Sequence, residues 1–160
     1  MESQFERSTT ECRGVSDLRG EVVDALGAYV EKYEMGDVES GVLACFETVS
    51  IPLGKHGKKK ESKAQHTAII LTPEMLMWLV DWKGDIAVEW ALLKEIEVSD
   101  YADSMEYKML PDTGIEIFGF IKHGRMRGTA FIGLGPERDA DKLRSAVGEA
   151  VVKAGGVWKR

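Results

Sequence analysis

The chain is poor in the features that give a protein's chemistry away. It has two cysteines, Cys12 and Cys45, far apart in sequence and outside any CxxC. That spacing supplies neither a disulfide framework nor a zinc pattern. The three histidines, His56, His66 and His123, are scattered without ligand spacing. No apolar run exceeds Met75–Val80, far short of a bilayer span. The start, MESQFERSTTE, is polar and acidic, with no signal-peptide core. A reducing, cytoplasmic setting without a transmembrane segment is the expectation. Serines 16, 50, 62 and 99 lie in no GxSxG elbow. No catalytic constellation, cofactor motif or metal pattern emerges, so no enzyme, cofactor or metal is expected.

Basic charge is also in short supply. The 160 residues carry a net charge of -6. Residues 51–63 hold five lysines and one glutamate, a local +4, which leaves -10 for the rest. A duplex-binding protein needs basic charge over a broad face. Confinement to one loop argues against nucleic acid.

What is present is a core and a clear periodicity. Hydrophobic residues make up 44% of the chain, enough for one domain. Residues 1–14 read as a flexible polar terminus. In residues 15–35, Leu18, Val22, Leu26 and Tyr29 fall at helical spacing, with Ser16 as candidate N-cap. This is an N-terminal amphipathic helix. From Gly41 the pattern changes to seven short strands: GVLACFETVS, HTAIILT, MLMWLVDW, IAVEWALL, KEIEVSDY, GIEIFGFI and RGTAFIGL. Lys83-Gly84-Asp85 signals a hairpin. PERDADKLRSAVGEAVVKA reads as a closing helix with Glu137 and Asp139 favouring its N-terminus, ended by Gly155-Gly156. Residues 156–160 read as a tail.

The stretch HTAIILTPEMLMWLVDWKGDIAVEWALLKEIEVSDY resembles the middle of the GRAM and bacterial PH-like families, with Leu93-Lys94-Glu95-Ile96 at the family's Leu-x-x-Ile. FGF followed by RGTAFIGL and a helix is similar to the end of that fold. The resemblance covers about residues 41–154 and implies an α+β fold: a seven-stranded antiparallel barrel closed by the C-terminal helix, the N-terminal helix being extra. It also implies a non-catalytic binding or interaction module, a protein adaptor or an oligomerising domain.

Three candidate sites follow. The loop GKHGKKKESK could bind an anionic lipid headgroup or a phosphate through Lys55, Lys58, Lys59, Lys60 and Lys63, joined by Arg125 and Arg127 if the two turns meet. The ordinary alternative is a solvated charged loop. Trp78, Trp82, Met75 and Met77 make both faces of one strand apolar, so one face could meet a partner or a second subunit. Last, Asp100, Asp103, Glu106 and Asp112 cluster in the loop 100–112, where carboxylates could hold a metal or do acid–base chemistry. GLGPERD lacks the third glycine of a phosphate cradle, and its acids would repel a phosphate.

Overall fold

The computed structural model describes residues 3–122 and 126–159. The elements run β1 (Phe5–Cys12), α1 (Gly20–Lys32), β2 (Ala44–Pro52), β3 (Gln65–Leu71), β4 (Met75–Trp82), β5 (Asp85–Leu92), β6 (Ile96–Asp100), β7 (Gly114–Ile121), β8 (Met126–Gly133), α2 (Arg138–Ala154) and β9 (Val157–Lys159). They form a five-stranded sheet, β1-β2-β3-β4-β5, and a four-stranded sheet, β8-β7-β6-β9. All neighbours are antiparallel except β6 and β9.

The expected seven-stranded closed barrel is therefore corrected to nine strands in two sheets. The cause lies at the ends of the chain. β1, expected to be loose, pairs along its whole length with β2, from Phe5↔Pro52 to Cys12↔Cys45. Its outward N–H groups then meet carboxylates from the start of α2 instead of a strand of the second sheet. The Thr9 amide donates to Glu137 (2.8 Å) and the Glu11 amide to Asp139 (2.9 Å). Both acids lie at the start of α2, as the charge pattern suggests, but Glu137 makes no side-chain cap bond there; together they cover a sheet edge. Between β5 and β7 the sheets are joined by the Lys122 amide donating to the Trp90 carbonyl (2.8 Å).

The tail is likewise a strand. Gly155 has φ +97°, and Gly156 N–H returns to the Val151 carbonyl while Gly155 N–H reaches Val152, the glycine-terminated helix end of a Schellman motif. A Cβ on Gly156 would lie 2.1 Å from the Leu93 carbonyl oxygen, so only glycine lets the chain pass there. β9 then runs parallel to β6 and brings Trp158 back onto Gly148 of α2.

The first sheet separates two apolar clusters. Strand alternation sends Leu76 and Trp78 into the cluster shared with the second sheet and α2. Met77 and Leu79 point the other way, into a smaller cluster covered by Val22 and Leu26 of α1. Ser16 caps nothing: it sits in a 3-10 turn, and Arg19 precedes the helix without a capping side chain. Arg19 instead fastens α1 to the β4–β5 hairpin, its guanidinium 2.5 Å from the buried Asp81 carboxylate, whose other oxygen accepts the Gly84 amide (2.9 Å).

Candidate functional site

The Trp/Met strand is mostly spent on packing. Trp78 is 2% exposed and Met77 0%, and the Trp78 indole donates to Glu89 (2.9 Å). Met75 is partly buried against the α1 cluster. Trp82 alone is substantially exposed, at the hairpin tip. The expected interaction surface on β4 is thus corrected. Its two apolar faces reflect a sheet sandwiched between two covers.

The lysine loop is shaped by its backbone. Leu53 and Lys59 form an isolated antiparallel bridge, the Gly54 amide donates to Lys58, and the Lys60 amide to Pro52. All five lysines are exposed. Lys59 pairs with Glu6 (3.1 Å) and is the one of the five with an ion pair among the described residues. Arg125 lies outside the described residues. Arg127 sits on β8 with its guanidinium 5.5 Å from the Phe118 ring centre, and no described hydrogen bond or ion pair links it to the loop.

Two of the four acids of the loop 100–112 are engaged elsewhere. Asp100 accepts from Arg144 of α2 (2.9 Å) and from the Ala102 amide. Asp112 holds Arg7 of β1 in a two-pronged pair, Nε to Oδ1 at 2.8 Å and Nη2 to Oδ2 at 2.6 Å. Arg7 also donates to the buried Ser50 hydroxyl and lies over the rings of Phe5 and Phe131. Among the described residues no group of three or more His, Cys, Asp and Glu is placed to hold a metal ion.

The surface the strand pattern did not single out is the outer face of the second sheet. On β7, Ile115, Ile117 and Ile121 point inward, leaving Glu116, Phe118 and Phe120 outside. Their partners on β8 are Phe131, Thr129 and Arg127. Phe118, Phe120 and Phe131 are 42%, 38% and 37% exposed. Gly114 makes room for one of them: at φ +155°, a Cβ there would lie 2.8 Å from the Phe131 ring. Phe131 meets Tyr101 edge-on at 4.9 Å, and Tyr101 meets Tyr107. A cavity of about 300 Å³ opens beside them, lined by Phe5, Tyr101, Leu110, Pro111 and Phe131, with Gln4 and Asp112 as its polar members. Met105, Met109 and Leu110 of the adjoining loop are exposed as well.

Charge is distributed unevenly along this face. At one end are Arg127 and Lys122, the latter 4.6 Å over the Phe120 ring and paired with Glu95 (3.0 Å). At the other is Glu116, which has neither a hydrogen bond nor an ion pair among the described residues. Burial, assisted by Glu106, holds its carboxyl above the usual range.

No family model, curated protein or solved structure matches the chain. The likeness read from the strand pattern therefore has no independent relative beside it, and function rests on the surface itself. The sequence signal for that surface was present in GIEIFGFI: Phe118 and Phe120 share a parity opposite to the isoleucines. Isolated aromatics on a strand are equally consistent with a core, so only the structure decides which side is wet.

Among the described residues, no helix is long and apolar enough to cross a membrane.

Proposed function

We propose that the chain is a non-catalytic interaction module that binds a protein partner through the outer face of its second sheet. The observation that carries this reading is the set of three exposed aromatic rings, Phe118, Phe120 and Phe131, extended through Tyr101 to Tyr107 and Leu110. Contiguous exposed apolar surface rimmed by charge marks association sites. Aromatic and methionine side chains are enriched in such interfaces. Two of the four acids that a catalytic reading would use, Asp112 and Asp100, are paired with Arg7 and Arg144.

The test compares immobilised wild type with a Phe118→Ser/Phe120→Ser variant. Both side chains point outward, so the variant keeps its melting temperature. Wild type retains a partner at high salt and the variant loses it. Retention that is equal in the two, or that disappears with salt alone, overturns the reading. A parallel arm measures sedimentation with anionic phosphatidylserine vesicles. Binding there that is abolished by Lys58→Glu/Lys59→Glu/Lys60→Glu would move the function to the lysine loop, as an anionic lipid or phosphate site.

A further inference from the structure

We infer that the partner on this face is a second copy of the chain, stacked face to face about a two-fold axis that runs across the strands through Thr129 and Phe118. The inference rests on the reading of the face as an interaction surface and names its occupant.

The outer face of β7 and β8 carries three cross-strand rows: Arg127 with Phe120, Thr129 with Phe118, and Phe131 with Glu116. Arg127 and Phe131 flank Thr129 at the same spacing, two residues or about 7 Å each. An in-plane two-fold axis along the middle row therefore exchanges the outer rows. It sets Arg127 of one copy over Phe131 and Glu116 of the other, and does so twice. Phe118 meets its own equivalent on the axis.

The contacts supply Glu116 and Arg127 with partners that they lack among the described residues. Glu116 is partly buried yet has no partner among the described residues, which is costly for a carboxylate. Arg127 has a ring beneath it, Phe118, but no described carboxylate within reach. The pairing gives the acid a guanidinium and gives the guanidinium a second ring, a favourable arrangement for arginine. The opposite ends of the face carry opposite charge, which is what a self-complementary two-fold interface requires. A copy shifted by one row would place Arg127 over Thr129 and leave Glu116 unpaired. Glu97 of β6 lies beside Phe118 in the same middle row, so its two copies meet near the axis; the two Arg127–Glu116 contacts select this register against that one repulsion.

Charge reversal tests this directly. Sedimentation equilibrium of the full chain over a wide micromolar range should show a monomer–dimer equilibrium. Arg127→Glu alone, and Glu116→Arg alone, should each raise the dissociation constant about a hundredfold. The double variant Arg127→Glu/Glu116→Arg restores the opposed charges and should bring dimerisation back to within about tenfold of wild type. Circular dichroism melts of all four proteins separate dissociation from unfolding, and rescue in the double variant cannot arise from a misfolded chain. A wild type that stays monomeric throughout overturns the inference, as does a dimer indifferent to Arg127→Glu or a double variant no better than the singles. If wild type is monomeric but still retains a different protein that Phe118→Ser/Phe120→Ser loses, the pairing is wrong and the interaction reading stands. If neither occurs, both fall.

Discussion

Replacing Arg7 with alanine should be among the most damaging single changes outside the apolar clusters. The Arg7 side chain is 8% exposed and that of Asp112 17%. Arg7 makes two charge-assisted hydrogen bonds to Asp112 and a third to Ser50, itself 1% exposed. Alanine leaves a largely buried carboxylate without its cation, a loss of about 3–5 kcal/mol. It also leaves the Ser50 hydroxyl short of a partner, at about 1–3 kcal/mol. The two losses share one guanidinium and do not add, so about 4 kcal/mol is expected in total. In a domain of this size that lowers Tm by about 8–16 °C. Urea titration at neutral pH, followed by tryptophan fluorescence, gives the number. The physical cause is checked by Arg7→Met/Asp112→Asn, which removes both charges while Asn keeps the oxygen that accepts the Thr113 amide (2.8 Å). That double variant should lose only about 1–2 kcal/mol. The reasoning is refuted if Arg7→Ala unfolds within about 1 kcal/mol of wild type. It is refuted too if the double variant is as unstable as the single.

Other outcomes follow from the same geometry. Burial, with Cys12 alongside, pushes the Cys45 thiol from 9.0 up to about 12, which cuts its thiolate fraction at pH 8 about a thousandfold; iodoacetamide should label it at that pH only as fast as the chain opens. The same shift makes the folded state lose stability as pH climbs from about 9 towards about 12, because the unfolded thiol ionises first. Glu137→Ala removes the acceptor of the buried Thr9 amide and should cost about 1–3 kcal/mol, with hydrogen exchange at Thr9 accelerating more than at the β2-bonded amides of β1. Gly156→Ala drives a methyl into the Leu93 carbonyl and should cost at least about 1–3 kcal/mol, whereas Gly128→Ala, with nothing within 4 Å of the added carbon, should stay within about 0.5 kcal/mol of wild type. Lys58→Glu/Lys59→Glu/Lys60→Glu, all at exposed positions, should leave Tm within about 2 °C of wild type.

How far the sequence could be read depended on the distance over which each segment's partners lie. MLMWLVDW and GIEIFGFI declare themselves as strands through local composition, and β4 and β7 occupy those very residues. FERSTTEC does not. Its alternation is carried by Arg7 and Thr9 instead of apolar residues, and both are buried by groups more than a hundred residues away: Asp112 for the first, Gly135 and Glu137 for the second. Thr9 also shares its hydroxyl with Thr48 across β2. A strand whose inward side chains are polar cannot be recognised until those partners are in place. VWK fails for a related reason, since three residues have no usable period and its pairing with β6 depends on the glycine turn before it. The candidate site followed the same rule. The lysine loop stood out because charge is conspicuous in one dimension. The aromatic face stayed hidden because its rings come from two strands, and its exposure depends on which side α2 covers. Cys12 and Cys45, set apart in sequence, prove to be directly opposite across β1 and β2.

The order in which β1, α2 and β9 are synthesised bears on how the two sheets form. β1 is made before β2 and can pair with it early, but its other edge waits for Glu137 and Asp139. The second sheet gains its last strand only when Val157–Lys159 has emerged. Between the synthesis of β1 and that of α2, therefore, the β1 margin is unprotected, the hazard that attends long-range strand pairing. Docking of α2 both seals β1 and brings β9 within reach of β6.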